Sequence, residues 1–182
     1  METVDGGWTA IQKRVNGSES FDRNWSEYKN GFGAAEHSYW IGNDVIHHLT
    51  KENNSSLYVS ITLQNGRTLY EMYDRFSVSN ETGKYQLFLA GPATGTLGDR
   101  MLNTGRSDKN LSGMYFTTQD RDNDGNGGAN CAVNWGGGWW FNYCHEANLN
   151  GPWYPAVWRK AWSPTLQDGS SVRKTMMLIK RH

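Results

Sequence analysis

No apolar run in this 182-residue chain approaches the roughly 20 residues needed to span a bilayer. The N-terminus METVDGGW has neither the basic nor the apolar region of a signal peptide, so the chain is expected to be soluble, with any secretion signal outside it. Net charge of either sign is missing too. Lys+Arg and Asp+Glu number 18 each, which leaves no long-range field to draw nucleic acid or an acidic membrane surface. No segment repeats with a period of about 20 to 50 residues, which excludes solenoids and propellers. Cysteine is scarce, with only two residues.

What the chain has in excess is aromatic surface and glycine: nine Trp, nine Tyr, six Phe and 21 Gly. Tryptophan supplies large buried area and one N–H donor, so rings can pin many loops. At 37% hydrophobic content the chain can bury one core, and one loop-rich domain is expected. WTAIQKR (8–14) reads as a strand. Phe21, Trp25, Tyr28 and Phe32 fall on one helical face that ends near Gly31 and Gly33. Leu57, Val59, Ile61 and Leu63 alternate with polar or amphipathic partners, and Asn65-Gly66 turns tightly into RTLYEMY, an antiparallel hairpin. KYQLFL (84–89) and the distant KTMMLIK (174–180) add two strands. Between about Gly91 and Gly169 regular periodicity fades, and Gly, Asn, Asp and Trp take over. Long loops in a compact unit are functional or disordered, and the tryptophan density argues against disorder.

That region holds DRDNDGNGG, with carboxylates at Asp120, Asp122 and Asp124 followed by glycines. The pattern begins like an EF-hand loop but lacks its end: twelfth from Asp120 stands Cys131 instead of a bidentate glutamate, and no amphipathic helices flank it. A hard cation can still use two carboxylates plus carbonyls freed by a glycine-rich loop, and the competing reading is a solvated acidic turn. Cys144-His145 with Asn148 nearby invites a cysteine-protease reading, but in such enzymes these groups lie far apart in sequence. No nucleophile, base and oxyanion set is visible, so the chain is not expected to be an enzyme. An even cysteine count, a separation of 13 residues and the sequons at Asn16, Asn24, Asn53, Asn54, Asn80 and Asn110 favour a secreted chain with a Cys131–Cys144 disulfide. His47 and His48 read as surface and core positions of a short helix rather than a metal pair.

The order GGWTAIQKRVNGSESFDRNWSEYKNGFG, YWIGNDVIHHLT, TTQDRDND, NCAV, GGGWWFNYCHEANLNG and KTMMLIK resembles, nearly end to end, the fibrinogen C-terminal globular domain of fibrinogen-related, ficolin- and tachylectin-like proteins. The resemblance implies an α+β globe with a central twisted antiparallel sheet, short helices and a loop-rich calcium- and ligand-binding lobe. It divides one domain, 1–182, into a truncated N-terminal subdomain (1–40), the central sheet (41–100 plus 170–182) and the loop-rich lobe (101–169). It implies one Ca2+ on the side chains of Asp122 and Asp124 and the carbonyls of Asn126 and Gly128, with Ala129 as the alternative last carbonyl and Asp120 outside.

The same resemblance puts the ligand pocket at Tyr143, Cys144 and His145, His145 having a structural role as its alternative. Trp139 and Trp140 are adjacent and face opposite ways in extended chain, so one packs inward and the other, assigned as Trp140, faces ligand. Two features depart from the family pattern. The wall after Asn148-Leu149-Asn150-Gly151 is shortened, with Tyr154, or else Trp153 or Trp158, standing in for it, and the family's N-terminal cysteine pair is absent. The implied function is secreted, calcium-dependent, lectin-like recognition of acetylated or related glycans on microbial surfaces. The alternative is a receptor-binding signalling or matrix ligand of angiopoietin or tenascin type. Relatives gain avidity by clustering several lobes, so a homo-oligomer is a further expectation. No nucleic acid and no membrane insertion is expected.

Overall fold

In the computed structural model, which describes residues 7–52, 54–102, 105–153, 161–162 and 172–182, the alternating segments form one antiparallel sheet. Its strands are β1 (Trp8–Arg14), β2 (Phe32–Gly33), β3 (Tyr39–Trp40), β4 (Ser55–Leu63), β5 (Thr68–Val78), β6 (Leu87–Gly95) and β7 (Val172–Arg181). They lie in the order β2-β3-β1-β7-β4-β5-β6. The three strands within residues 1–40 therefore belong to the same sheet as the rest. β7, the last in sequence, sits between β1 and β4 and pairs with both, Ala10 and Tyr58 each opposite Leu178.

The two-residue alternation sorts the faces. Leu57, Val59 and Ile61 of β4, Tyr73 of β5 and Met177 of β7 point into the main core and are fully buried. On the other face Ala10, Met176 and Leu178 are covered by Trp8, Tyr39 and Tyr58, with Tyr70 stacked on Tyr58 at 5.3 Å. One face is thus sealed by protein and the other carries only a thin aromatic cover, as antiparallel sheets allow.

Among the described residues three short α-helices lie off the sheet: α1 (Trp25–Asn30), α2 (Asn43–Thr50) and α3 (Cys131–Trp135). The helix expected to run from Phe21 to Phe32 is confined to six residues because its ends are fixed chemically. Asn24 Oδ1 accepts from Glu27 N at 2.9 Å and Glu27 Oε2 accepts from Asn24 N at 3.0 Å, a reciprocal N-cap, while Gly31 at φ +91° turns the chain out. The four rings still converge: Phe21 and Tyr28 each meet Phe32 at 5.0 Å, and Trp25 meets Tyr85 at 5.3 Å. The strand expected at 84–89 begins later, at Leu87, because Lys84 and Tyr85 adopt φ +56° and +49° and make a turn.

Aromatic packing joins the sheet to the loop-rich lobe. Trp140 lies 5.2 Å from Phe116, 6.1 Å from Trp40 and 6.4 Å from Phe76, and donates its indole N–H to Tyr85 O at 2.8 Å. Both Trp139 and Trp140 are fully buried. The expectation that Trp140 faces ligand is therefore corrected: the neighbouring rings wrap it and the turn at Tyr85 takes its one polar atom. Removal of the α1 cap by Asn24→Ala is expected to cost about 1 kcal/mol, read as a lower urea midpoint with an unchanged denaturant slope.

Candidate functional site

The acidic loop is organised by its own backbone. Asp120 does not face the others: its Oδ1 accepts from Trp25 N at 2.9 Å and from Thr118 Oγ1 at 2.7 Å, tying the loop's start to α1. Asp122 Oδ1 accepts from Asp124 N at 3.2 Å. Asp124 Oδ1 accepts from Asn126 N and its Oδ2 from Cys131 N, both at 2.7 Å. Burial, and behind it the neighbouring Asp122 carboxylate, pushes the Asp124 carboxyl above its ordinary range, against the pull of the two N–H groups.

Neither Asp122 nor Asp124 has a Lys or Arg partner within ion-pair distance among the described residues. Two close carboxylates without a counter-cation are the donor chemistry a hard divalent ion takes. Among the described residues no group of three or more His, Cys, Asp and Glu side chains could hold a metal, so an ion here needs carbonyls and water for the rest of its shell. The Asn126 carbonyl points into a turn, accepting from Ala129 N at 3.2 Å, while Gly128 N reaches Asn126 Oδ1 at 3.4 Å. Asn126, Gly128 and Ala129 thus form the turn that follows the two aspartates.

The segment expected to meet ligand lies directly against this loop. Gly125 N donates to Asn142 O at 3.2 Å, and a Cβ on Gly125 would stand 2.6 Å from Asn142 Oδ1 and 3.2 Å from its carbonyl carbon, so a side chain here would push on the Asn142 amide. The Cys131–Cys144 disulfide is formed, with Cα atoms 5.3 Å apart. Asn126 Nδ2 approaches Cys144 Sγ at 3.9 Å. Cys144 itself adopts φ +51°, and Asn142 N donates to its carbonyl at 3.0 Å. Tyr143 between them is 56% exposed, the large ring most open to solvent at this site. His145 is half-buried between Trp135, edge-on at 5.3 Å, and Phe141 at 5.8 Å. Tyr143, Cys144 and His145 therefore stand together beside Asp122, Asp124, Asn126 and Gly128, whereas Trp140 is in the core and Tyr154 and Trp158 lie outside the described residues.

A second bracket holds the same segment from the other side, and the sequence carried no signal for it. A short 3-10 turn, Ser107–Lys109, takes Asn142 Nδ2 on Ser107 O at 3.2 Å, and Asn110 O accepts from the same amide at 2.8 Å. Tyr143 N donates to Asp108 O at 3.0 Å. Lys109 donates its ammonium to Tyr143 O and lies 5.2 Å from that ring's centroid, with burial holding its pKa below the usual lysine range. Lys109, Asn142 and Trp135 are the site residues that periodicity and motif spacing did not reveal.

The Asn148-Leu149-Asn150-Gly151 stretch is the anchor. Asn148 and Asn150 donate their side-chain amides to Gly136 O at 3.3 Å and Gly138 O at 2.9 Å. Gln12 of β1 donates to Leu149 O at 3.1 Å, and Arg14 to Leu149 O at 3.2 Å and to Gly151 O. Burial lowers the Arg14 guanidinium to about 10 while its face lies over Phe21 at 4.3 Å. Gly138 is required at this junction, because a Cβ there would meet the Tyr28 ring at 2.7 Å.

The family described as "Fibrinogen beta and gamma chains, C-terminal globular domain" matches residues 1–181. Fibroleukin of Bos taurus is 45% identical over 159 residues, which is 87% of this chain and 35% of that protein. The chain thus spans about a third of the length of such curated relatives. Among solved structures, the fibrinogen-like globe domain of human ANGPTL2 is similar with a TM-score of 0.83 at 36% identity, covering 97% of this chain and 81% of that one. The lamprey fibrin D-dimer complexed with the peptide ligand Gly-His-Arg-Pro-amide is similar with a TM-score of 0.85 at 29% identity, covering 99% of this chain and 63% of that one.

Replacing both half-cystines, Cys131→Ser with Cys144→Ser, frees the loop from the exposed segment. The loop closed is short, so the loss is expected to be about 3 kcal/mol in the chain-entropy model. Guanidinium denaturation of the double variant checks it; an unchanged midpoint would show that the bridge contributes nothing.

Proposed function

The chain belongs to the fibrinogen C-terminal globular domain family, and from that premise we propose that it is an extracellular recognition module that grips a protein partner at Tyr143–His145, braced by calcium on Asp122 and Asp124. Members of this family bind rather than catalyse, and the chain is not an enzyme. Among the described residues no helix is long and apolar enough to cross a membrane. The observation that carries the reading is the direct linkage of the acidic loop to the exposed segment through Gly125 N–H to Asn142 O and the Cys131–Cys144 bridge.

Asp122 and Asp124 would hold the ion with the carbonyls of Asn126 and of Gly128 or Ala129. When bound, it supplies the positive charge that two facing carboxylates lack. The chain's own residues do the rest: Asp124 fixes the Cys131 N–H, the bridge transmits that position to Cys144, and Lys109 holds the Tyr143 carbonyl from the opposite side. A protein partner is favoured over a sugar by two observations. Trp140, the ring assigned to face ligand, is buried. A globe of the same fold, in the lamprey fibrin D-dimer, is complexed with a peptide. A second reading, an acetylated glycan on microbial surfaces, draws its support from the Cys144-His145 motif, where Cys144 stands at φ +51° beside the exposed Tyr143 ring.

Calcium titration followed by thermal denaturation tests the brace. Saturating calcium at about 100 times its dissociation constant is expected to stabilise the chain by about 2.7 kcal/mol, and Asp124→Asn is expected to abolish the gain. A melting temperature indifferent to calcium would remove the ion from the account. Binding to arrays of receptor ectodomains and of acetylated glycans, with calcium and with chelator, then separates the two readings. Ectodomain binding weakened about tenfold by chelator, or 1.4 kcal/mol, supports the first; glycan binding alone transfers the assignment to the second.

A further inference from the structure

We infer that Asn16 and Asn80 carry N-linked glycans in the secreted protein and that the other sequons among the described residues do not. The inference rests on the extracellular reading above but not on the identity of the ligand. An Asn-X-Ser/Thr motif is a weak signal by itself, and the fold separates its occurrences. A glycan persists in the folded state only where the asparagine Nδ2 stands in solvent and makes no bond that the fold needs.

Asn16 meets that condition in an exposed loop after β1. Its Oδ1 accepts from Ser18 N at 3.1 Å and from Ser18 Oγ at 2.7 Å, so the amide and the hydroxyl that define the motif are presented together on one exposed side. Gly17, the middle residue, lies against Trp153; a Cβ there would stand 2.7 Å from Trp153 Cδ1. That contact seats the loop at Gly17 and leaves Asn16 and Ser18 exposed on either side of it. Asn80 and Thr82 are both exposed in the turn between β5 and β6, and Asn80 Oδ1 accepts from Gly83 N at 3.0 Å, which turns Nδ2 outward.

The remaining sequons are used by the fold. Asn54 Nδ2 donates to His182 O at 2.7 Å and helps hold the end of β7. Asn110 is half-buried; its Oδ1 accepts from Ser112 N at 2.8 Å, and the Ser112 hydroxyl bonds Leu89 O at 3.0 Å. Its own carbonyl takes Asn142 Nδ2, so a glycan there would press on the Tyr143 segment. At Asn24 the rest of the motif excludes a glycan: Asn24 is exposed, but Trp25 is 7% exposed and packs on Tyr85 and Phe116, so the motif is fixed in the first turn of α1. Asn53 lies outside the described residues.

In the transfer, Nδ2 of Asn16 or Asn80 bonds to the anomeric carbon of a lipid-pyrophosphate-linked oligosaccharide and gives up one proton. The bond from that carbon to the pyrophosphate oxygen breaks, and the lipid pyrophosphate leaves. The test is secretion of the whole chain from eukaryotic cells behind a heterologous leader, with glycopeptide mapping after peptide-N-glycosidase digestion in heavy-oxygen water. Isotope-labelled aspartate is expected at positions 16 and 80 and at neither 24, 54 nor 110. Asn16→Gln and Ser18→Ala should each remove the same one of two glycan steps in electrophoretic mobility, and Asn80→Gln and Thr82→Ala the other. An unlabelled position 16 or 80 in secreted protein overturns the assignment there, and label at 24, 54 or 110 overturns the exclusion. Calcium and ligand binding, measured on the enzymatically deglycosylated protein, report on the recognition reading separately.

Discussion

The proposed recognition surface depends on one residue being held where it would not rest alone. Cys144 adopts φ +51°, a conformation that costs a side-chain-bearing residue on the order of 1–3 kcal/mol and persists only where its surroundings over-determine it. Here they do so from both sides. The disulfide and Gly125 tie its neighbourhood to the acidic loop, and the Ser107–Lys109 turn takes the amide of Asn142, the N–H of Tyr143 and, through Lys109, the Tyr143 carbonyl. Few of these bonds are strong in solvent, but together they leave the segment no alternative path.

Both ends of that segment are sunk in the core, which explains why so exposed a stretch keeps its shape. Upstream, Trp140 hangs from the carbonyl of Tyr85, itself at positive φ, amid a cluster of rings. Downstream, Asn148 and Asn150 clasp the glycine turn, and Gln12 and Arg14 bind the intervening carbonyls to β1. Residues 142–146, none of them buried, are thus suspended between two fully desolvated anchors. The polar residues that serve the anchors are buried with their partners, the condition under which buried polarity specifies structure instead of weakening it.

How much of this could be read beforehand followed the physics of each signal. Strict alternation locates β4, because a half-buried antiparallel strand writes its two faces into every second side chain, while 8–14 and 174–180, read as strands without it, fall on β1 and within β7. The ring spacing from Phe21 to Phe32 overstated α1, since four aromatics can reach one core from a helix, a loop and a strand, and the cap at Asn24 decided the boundary. The Cys131–Cys144 bridge is legible because both cysteines sit in compact motifs, and the same motifs bring the proposed ion and ligand residues, Asp122, Asp124 and Tyr143–His145, into one neighbourhood. Trp140 was misread because in a WW pair with a buried glycine turn on one side both rings find core. Lys109 was invisible: its partner is a backbone carbonyl 34 residues away, and nothing in local composition announces such a bond.

The place of β7 in the sheet has a consequence for how the molecule is made. It is the final strand in sequence, yet it lies at the centre, bonded to β1 on one flank and β4 on the other. A chain emerging from the ribosome would therefore hold two unfinished sheet halves, each showing a bare edge that invites pairing with another nascent molecule. Their union waits on β7, made after both, so chaperone protection during biosynthesis and intolerance of losing that strand are built into the order of the strands.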